Sequence, residues 1–194
     1  MVVQWFAEGA YATNVMPGII GEIGTERFHI TPAEERVFRA CVRAQKETGA
    51  AITTHTTHFG DLGLEQVALL TEEGVALERI VIGHLGERRN ANDVVAVAKT
   101  GVYVEIDHVG RPASAGTQPE RRRAQNVVEV VKAGHLEQVL ISMDICANSQ
   151  LHWNGGHGYD YLLTEFVPLL LEEGLTEGEV QTILVDNPRR VLDF

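Results

Sequence analysis

The chain has 194 residues, 44% of them hydrophobic and 22% charged, enough for one domain with a sizeable core. Its 27 acidic and 16 basic residues give a net charge of -11, which excludes the positive surface that a nucleic acid or an anionic membrane requires. Two cysteines, Cys41 and Cys146, form no CxxC pair, and no apolar run approaches the roughly 20 residues that cross a bilayer, so a reducing cytoplasm is expected.

The amino terminus, Met1-Val-Val-Gln-Trp-Phe, lacks the basic region and cleavage site of a signal peptide. Residues 1–16 read as a helix that stops before Pro17, because proline has no N–H to donate and disfavours helix in the residue before it. Gly18-Ile-Ile-Gly-Glu-Ile-Gly24 reads as a short buried strand carrying Glu22. Thr31-Pro32-Ala33-Glu34 combines an N-cap, a first-turn proline and an acid three residues on, so a helix starts there and ends at Gly49.

The unit then repeats. An apolar strand over 51–55 runs out into Thr53, Thr54 and His55, and a helix follows to Gly74. A strand over 79–84 ends in His84, with a helix over 91–100. A strand over 102–108 ends in His108, with a helix over 119–133. A strand over 138–144 ends in Asp144. A long loop with Trp153, His157 and Tyr159 leads to a helix over 161–173 that Pro168 should kink or break. A short helix from Thr176 and a turn at Asn187-Pro188 close the chain. The run Arg121-Arg122-Arg123 at one helix start reads as a solvated face.

Helices that stop at glycine, followed by apolar strands, predict strand–helix alternation and a parallel sheet of five strands. The carboxyl ends of such strands share one face, where chemistry collects. Glu22, His55, His84, His108 and Asp144 would therefore converge. Singly, each has a plainer reading: a strand-end ion pair for Glu22, a helix-start hydrogen bond for His84, an N-cap for Asp144. Five polar strand ends in succession argue against all of these together. Carboxylates and imidazoles on one face suit divalent transition metals, and a carboxylate can bridge two of them.

Gly18-Ile-Ile-Gly-Glu-Ile-Gly-Thr25, Thr53-Thr-His-Thr56, Ile82-Gly-His-Leu85, Ile106-Asp-His108, Leu140-Ile-Ser-Met-Asp144 and Asp186-Asn-Pro-Arg-Arg190 resemble, in order and spacing, the phosphotriesterase family of the amidohydrolase superfamily. The resemblance runs over essentially the whole chain. It implies a (β/α)8 TIM barrel of metal-dependent hydrolases with two divalent ions, usually zinc, and matches this chain to strands four to eight. Glu22 falls where the family places its metal-bridging group, in some members a carboxylated lysine and in others a glutamate. His55 and His84 match ligands of the more exposed metal. Asp144 matches a ligand of the more buried one and a proton acceptor. His108, with Glu87 as its orienting acid, matches a proton shuttle from Asp144 to solvent. His58 takes no role from the resemblance and is read as a rim or hydrogen-bonded residue.

One departure stands out. The family's first strand ends in His-x-His, and no His-x-His occurs here. Three β/α units are absent, so residues 1–194 are expected to be a single domain forming the carboxyl-terminal portion of such a barrel, a fragment or a truncated product. The expected function is hydrolysis of an ester, lactone or phosphoester in a small-molecule substrate. The alternative is a catalytically silent partial barrel with weak metal binding or an interaction role. A single-metal deaminase fits less well, since Glu22 suggests a bridge. Arg111, in Asp107-His-Val-Gly-Arg111, stands where lactonases tend to carry Asp-Arg-Tyr; it is a candidate for holding an anionic substrate group, and equally a solvated loop residue. Open sheet edges would invite pairing into a homo-oligomer.

Overall fold

The computed structural model describes residues 1–57, 60–113 and 117–194. Five short strands, β1 (Ile20–Gly24), β2 (Ile52–His55), β3 (Ile80–Gly83), β4 (Tyr103–Ile106) and β5 (Val139–Ile141), form one sheet. Every neighbouring pair is parallel, and the strands lie in chain order. A doubly wound fold reverses its strand order partway; sequential order with a helix after each strand is the barrel arrangement. The chain is thus an α/β fold of five successive β/α units, with the parallel sheet that the repeat predicts and the partial (β/α)8 barrel that the family resemblance implies.

The strands' alternation sorts residues onto two faces. Ile52, Ile80, Ile82, Val104, Ile106 and Val139 are fully buried in the main core. Their neighbours in sequence point the other way. Ala51, Val81, Tyr103 and Leu140 form a second, smaller cluster with Val191. Above this floor the inner face turns polar, through Thr53, Glu105, Asp107, Ser142 and Asp144, which line a cavity of about 330 Å³. The helices α2 (Pro32–Thr48), α3 (Gly63–Glu72), α4 (Ala91–Ala98) and α5 (Glu120–Lys132) pack on the strands they join.

Local signals placed most boundaries. Thr31 caps α2 with the full reciprocal box to Glu34, worth about 1 kcal/mol. Three expectations need correction. The first helix, α1 (Val2–Glu8), ends well short of Pro17, because the chain turns at Gly9 with φ 94°. Pro168 does not break its helix: a wide turn at Leu162–Phe166 precedes α6 (Val167–Glu172), and the missing N–H falls at this offset in the hydrogen-bond ladder. The same device follows α7 (Glu177–Gln181), where a wide turn at Thr182–Asp186 precedes α8 (Asn187–Leu192). Residues 187–192 are therefore helix rather than a turn. Asn187 ties α8 to the sheet by donating to the carbonyls of Leu136 and Val139 at 2.9 and 2.6 Å.

Candidate metal centre

The polar strand ends meet. Glu22 on β1 reaches His55 at the end of β2, with Oε1 at 3.2 Å from Nδ1, and also contacts Nε2 of His84. The His55 and His84 rings stand edge to face with centroids 4.2 Å apart, and His108 lies 4.9 Å beyond His84. His108 Nε2 is 3.2 Å from an Asp144 carboxylate oxygen. Two groups of donor atoms result, Glu22 with His55 and His84, and His84 with His108 and Asp144, each with all members within 4.8 Å of one another. His84 belongs to both.

Three of these residues sit in strained backbone. His84, His108 and Asp144 have φ values of 58°, 60° and 46°, the left-handed region that ordinary side chains avoid at about 1–3 kcal/mol each. Each follows its strand by one to three residues, so the chain turns sharply where the side chain must point inward. Such strain collects at functional sites.

Supporting residues fix the side chains. Asp107, nearly fully buried, takes both the backbone N–H of His84, at 3.2 Å, and its Nδ1, leaving Nε2 for the centre. Imidazole metal ligands are oriented in this way. Gln66 on α3 donates to the His55 carbonyl at 3.3 Å and to the Thr25 hydroxyl at 2.8 Å, clamping the turn after β2. Burial opposes charge on His84, but hydrogen bonding and attraction from Asp107, then Glu22 and Asp144, outweigh it and raise its pKa to about 9. The cluster gathers three carboxylates around this one ring. A divalent cation bound by mixed nitrogen and oxygen donors suits it.

A second chain of contacts leads away from Asp144. His108 Nδ1 lies 2.9 Å from Glu87 Oε1, and Glu87 is fully buried against Arg123 Nη2 at 2.8 Å. Burial favours the neutral acid at Glu87, but hydrogen bonds from His108 and Arg123 prevail and hold its pKa below the usual carboxylate range. The arginine run is therefore not one solvated face. Arg121 is exposed and paired with Glu172 and Glu173, whereas Arg123 is wholly buried. Arg111 meets the Asp144 carboxylate, with its Nη2 also 3.2 Å from the Asp144 carbonyl. His58 lies outside the described residues.

Sequence reasoning missed Asp107 and Glu105. The signal was present: Tyr103, Glu105 and Asp107 alternate onto the inner face of β4, as period two requires. A Cβ built on Gly83 would collide with the Thr54 carbonyl on β2 and would also stand 3.3 Å from Glu105 Oε2, so β3 is bare at this position. Burial first, then the Asp107 charge, raises the Glu105 pKa from 4.5 to about 7, against the opposing Ser142 hydrogen bond. Between these values the folded chain keeps a proton that the unfolded chain has lost, so this group's contribution falls as pH rises and is fully unfavourable above about 7. Glu105→Gln in the metal-free chain should therefore raise Tm at pH 8 and change it little at pH 5. An equal shift at both pH values would contradict this.

The phosphotriesterase family's sequence model matches residues 1–192. The phosphotriesterase homology protein of Escherichia coli (strain K12) is 40% identical over 187 residues, spanning 96% of this chain and 63% of that protein. Its crystal structure, complexed with phosphate in the active site, superposes with a TM-score of 0.92 at 38% identity, over 98% of this chain and 64% of that one. The N-acetyltaurine hydrolase of Dictyostelium discoideum is 31% identical over 98% of this chain and 54% of its own length. An organophosphorus hydrolase from Deinococcus radiodurans superposes with a TM-score of 0.86 at 28% identity, over 99% of this chain and 60% of that one. The chain thus spans somewhat over half the length of these relatives. From the strand-end cluster and the match over residues 1–192, the chain belongs to the phosphotriesterase family.

Proposed function

We propose that the chain carries the greater part of a dinuclear, zinc-type hydrolase centre for small substrates with a scissile ester, lactone, phosphoester or amide bond. The observation that carries this reading is the pair of donor groups joined through His84. The amide is added because relatives include N-acetyltaurine hydrolases. Glu22, His55, His84 and Asp144 would hold the cations. Bound cations of this type polarise the scissile carbonyl or phosphoryl oxygen and acidify water.

The chain's own residues then manage the proton. Asp144 accepts it on a carboxylate oxygen, 3.2 Å from His108 Nε2, to which it passes. His108 Nδ1 donates to Glu87, which Arg123 keeps ionised, so the ring stays oriented and the imidazolium is stabilised. Arg111, which pairs with Asp144, would meet an anionic substrate group.

Zinc- or manganese-loaded chain should hydrolyse p-nitrophenyl acetate, a lactone or an N-acyl amine above the metal-only rate, and His55→Ala should lose that excess. A second reading, metal binding without turnover, is favoured by one observation: the chain has no His-x-His. Stoichiometric metal uptake with no excess hydrolysis would select it.

A further inference from the structure

His84 is oriented through Asp107, and His108 through Glu87. Glu22 and His55 lack such support. Among the described residues their side chains make polar or ring contacts only with each other and with His84. Both are nearly half exposed, at 45% and 46%. Their placement therefore comes from the backbone that carries them. That backbone is irregular in β1: Ile20 pairs with Ile52 and Ile23 with Thr54, three residues on β1 against two on β2. Strict alternation would put Glu22 on the same face as Ile20. The extra residue lets Ile20 and Ile23 both enter the core and leaves Glu22 on the inner face, lining the cavity.

Beyond this bulge the ladder is short. It resumes with the pairs Ile23–Thr54 and Gly24–His55 and closes with the Thr25 N–H on the His55 carbonyl, at a long 3.3 Å. Gln66 grips the junction from the helix side. It lies on α3, where Val67 and Leu70 are buried apolar neighbours, and is itself wholly buried. Its hydrogen bonds all go to the two strand ends. Nε2 donates to the Thr25 hydroxyl at 2.8 Å and to the His55 carbonyl at 3.3 Å, and Oε1 accepts from the Thr56 hydroxyl at 2.9 Å. Thr25 and Thr56 are buried as well. A carboxamide taken out of water is unfavourable unless paired, and here its pairing falls on the strand ends that carry Glu22 and His55.

We propose that Gln66 is a positioning residue for the Glu22–His55 pair. Its carboxamide sets how far the bulged end of β1 stands from the end of β2, and so fixes the 3.2 Å approach of Glu22 Oε1 to His55 Nδ1. It touches neither side chain and acts through the backbone and the two threonines. The inference rests on the metal-centre reading for what this spacing serves, namely two donors of one group held ready for a cation.

Cobalt(II) titration of the full chain, followed by visible absorption, tests it. Gln66→Met should weaken cobalt binding by roughly 10–100-fold, the scale of an outer partner of metal ligands. At full occupancy the absorption bands should also change, because they follow ligand geometry. This variant orphans buried hydroxyls, so lost stability has to be separated from lost placement. Gln66→Met combined with Thr25→Val and Thr56→Val removes the orphans, and should regain most of the lost Tm without regaining cobalt affinity. Val130→Ala, a fully buried change on α5, should lower Tm yet keep the spectrum and an affinity within about twofold of native. Native affinity in Gln66→Met, or affinity that returns with Tm in the triple variant, overturns the proposal. Crystal structures of the metal-free native chain and triple variant decide it independently. The Glu22–His55 contact should lengthen by roughly 1 Å, the looseness expected when a supporting residue is lost, and an unchanged contact overturns the proposal. A native chain that takes up no cobalt removes the metal reading alone, since the crystallographic distance still decides for Gln66.

Discussion

Replacing Arg123 by methionine is expected to destabilise the chain by about 3–5 kcal/mol, the scale of removing one partner from a buried ion pair. Arg123 and Glu87 both have fully buried side chains. The guanidinium also holds Glu120 and the Arg111 carbonyl. Without it, among the described residues Glu87 keeps only His108 and the Gln118 N–H as partners for a carboxylate that burial already disfavours. Glu87 in the native chain has a lowered pKa, so its stabilisation is complete above the ordinary value of 4.5 and is lost as pH falls through the folded one. In Arg123→Met that acid limb should move up in pH. The double variant Arg123→Met, Glu87→Met should cost less than the single one, because no orphaned charge remains. Urea unfolding at pH 7 and pH 4 reads both effects. A loss under about 1 kcal/mol for Arg123→Met would show that the buried pair does not hold this end of the molecule.

Replacing His84 by alanine should have the largest effect on metal binding, because His84 contributes to both donor groups. Its loss should reduce zinc affinity well beyond the roughly 10–100-fold that changes to an outer, orienting partner produce. Asp107→Asn should fall within that lower range: Asp107 acts through Nδ1 of His84 and is in neither group. His55→Ala should lie between, since it removes a ligand from one group only. Competition titration against a zinc chelator gives the ranking. Asp107→Asn weakening zinc as much as His84→Ala would mean that Asp107 is itself a ligand.

The fold was legible in the sequence because its signals are local and repeated. Helix-stopping glycines, the Thr31 box and apolar runs ending in Glu22, His55, His84, His108 and Asp144 each depend on a few neighbouring residues. The parallel sheet follows from their alternation, and the family resemblance from their order. What escaped depends on contacts distant in sequence. Arg123 looks like its two neighbours until Glu87, 36 positions earlier, is placed against it. Asp107 adjoins a residue already singled out, yet its partner is the His84 imidazole on the neighbouring strand end. Pro168 and Pro188 carry a strong local signal for a break, which a widened helical turn just before each one absorbs.

The reading as a whole depends on Glu22, His55, His84 and Asp144 holding cations together. Crystals of the chain soaked in zinc, with data collected at the zinc absorption edge, test this most directly. The account predicts an anomalous peak at about 2.0–2.2 Å from a Glu22 oxygen and from nitrogens of His55 and His84, with a second beside Asp144. Peaks only at surface sites away from these four side chains, at full zinc occupancy elsewhere, would contradict it.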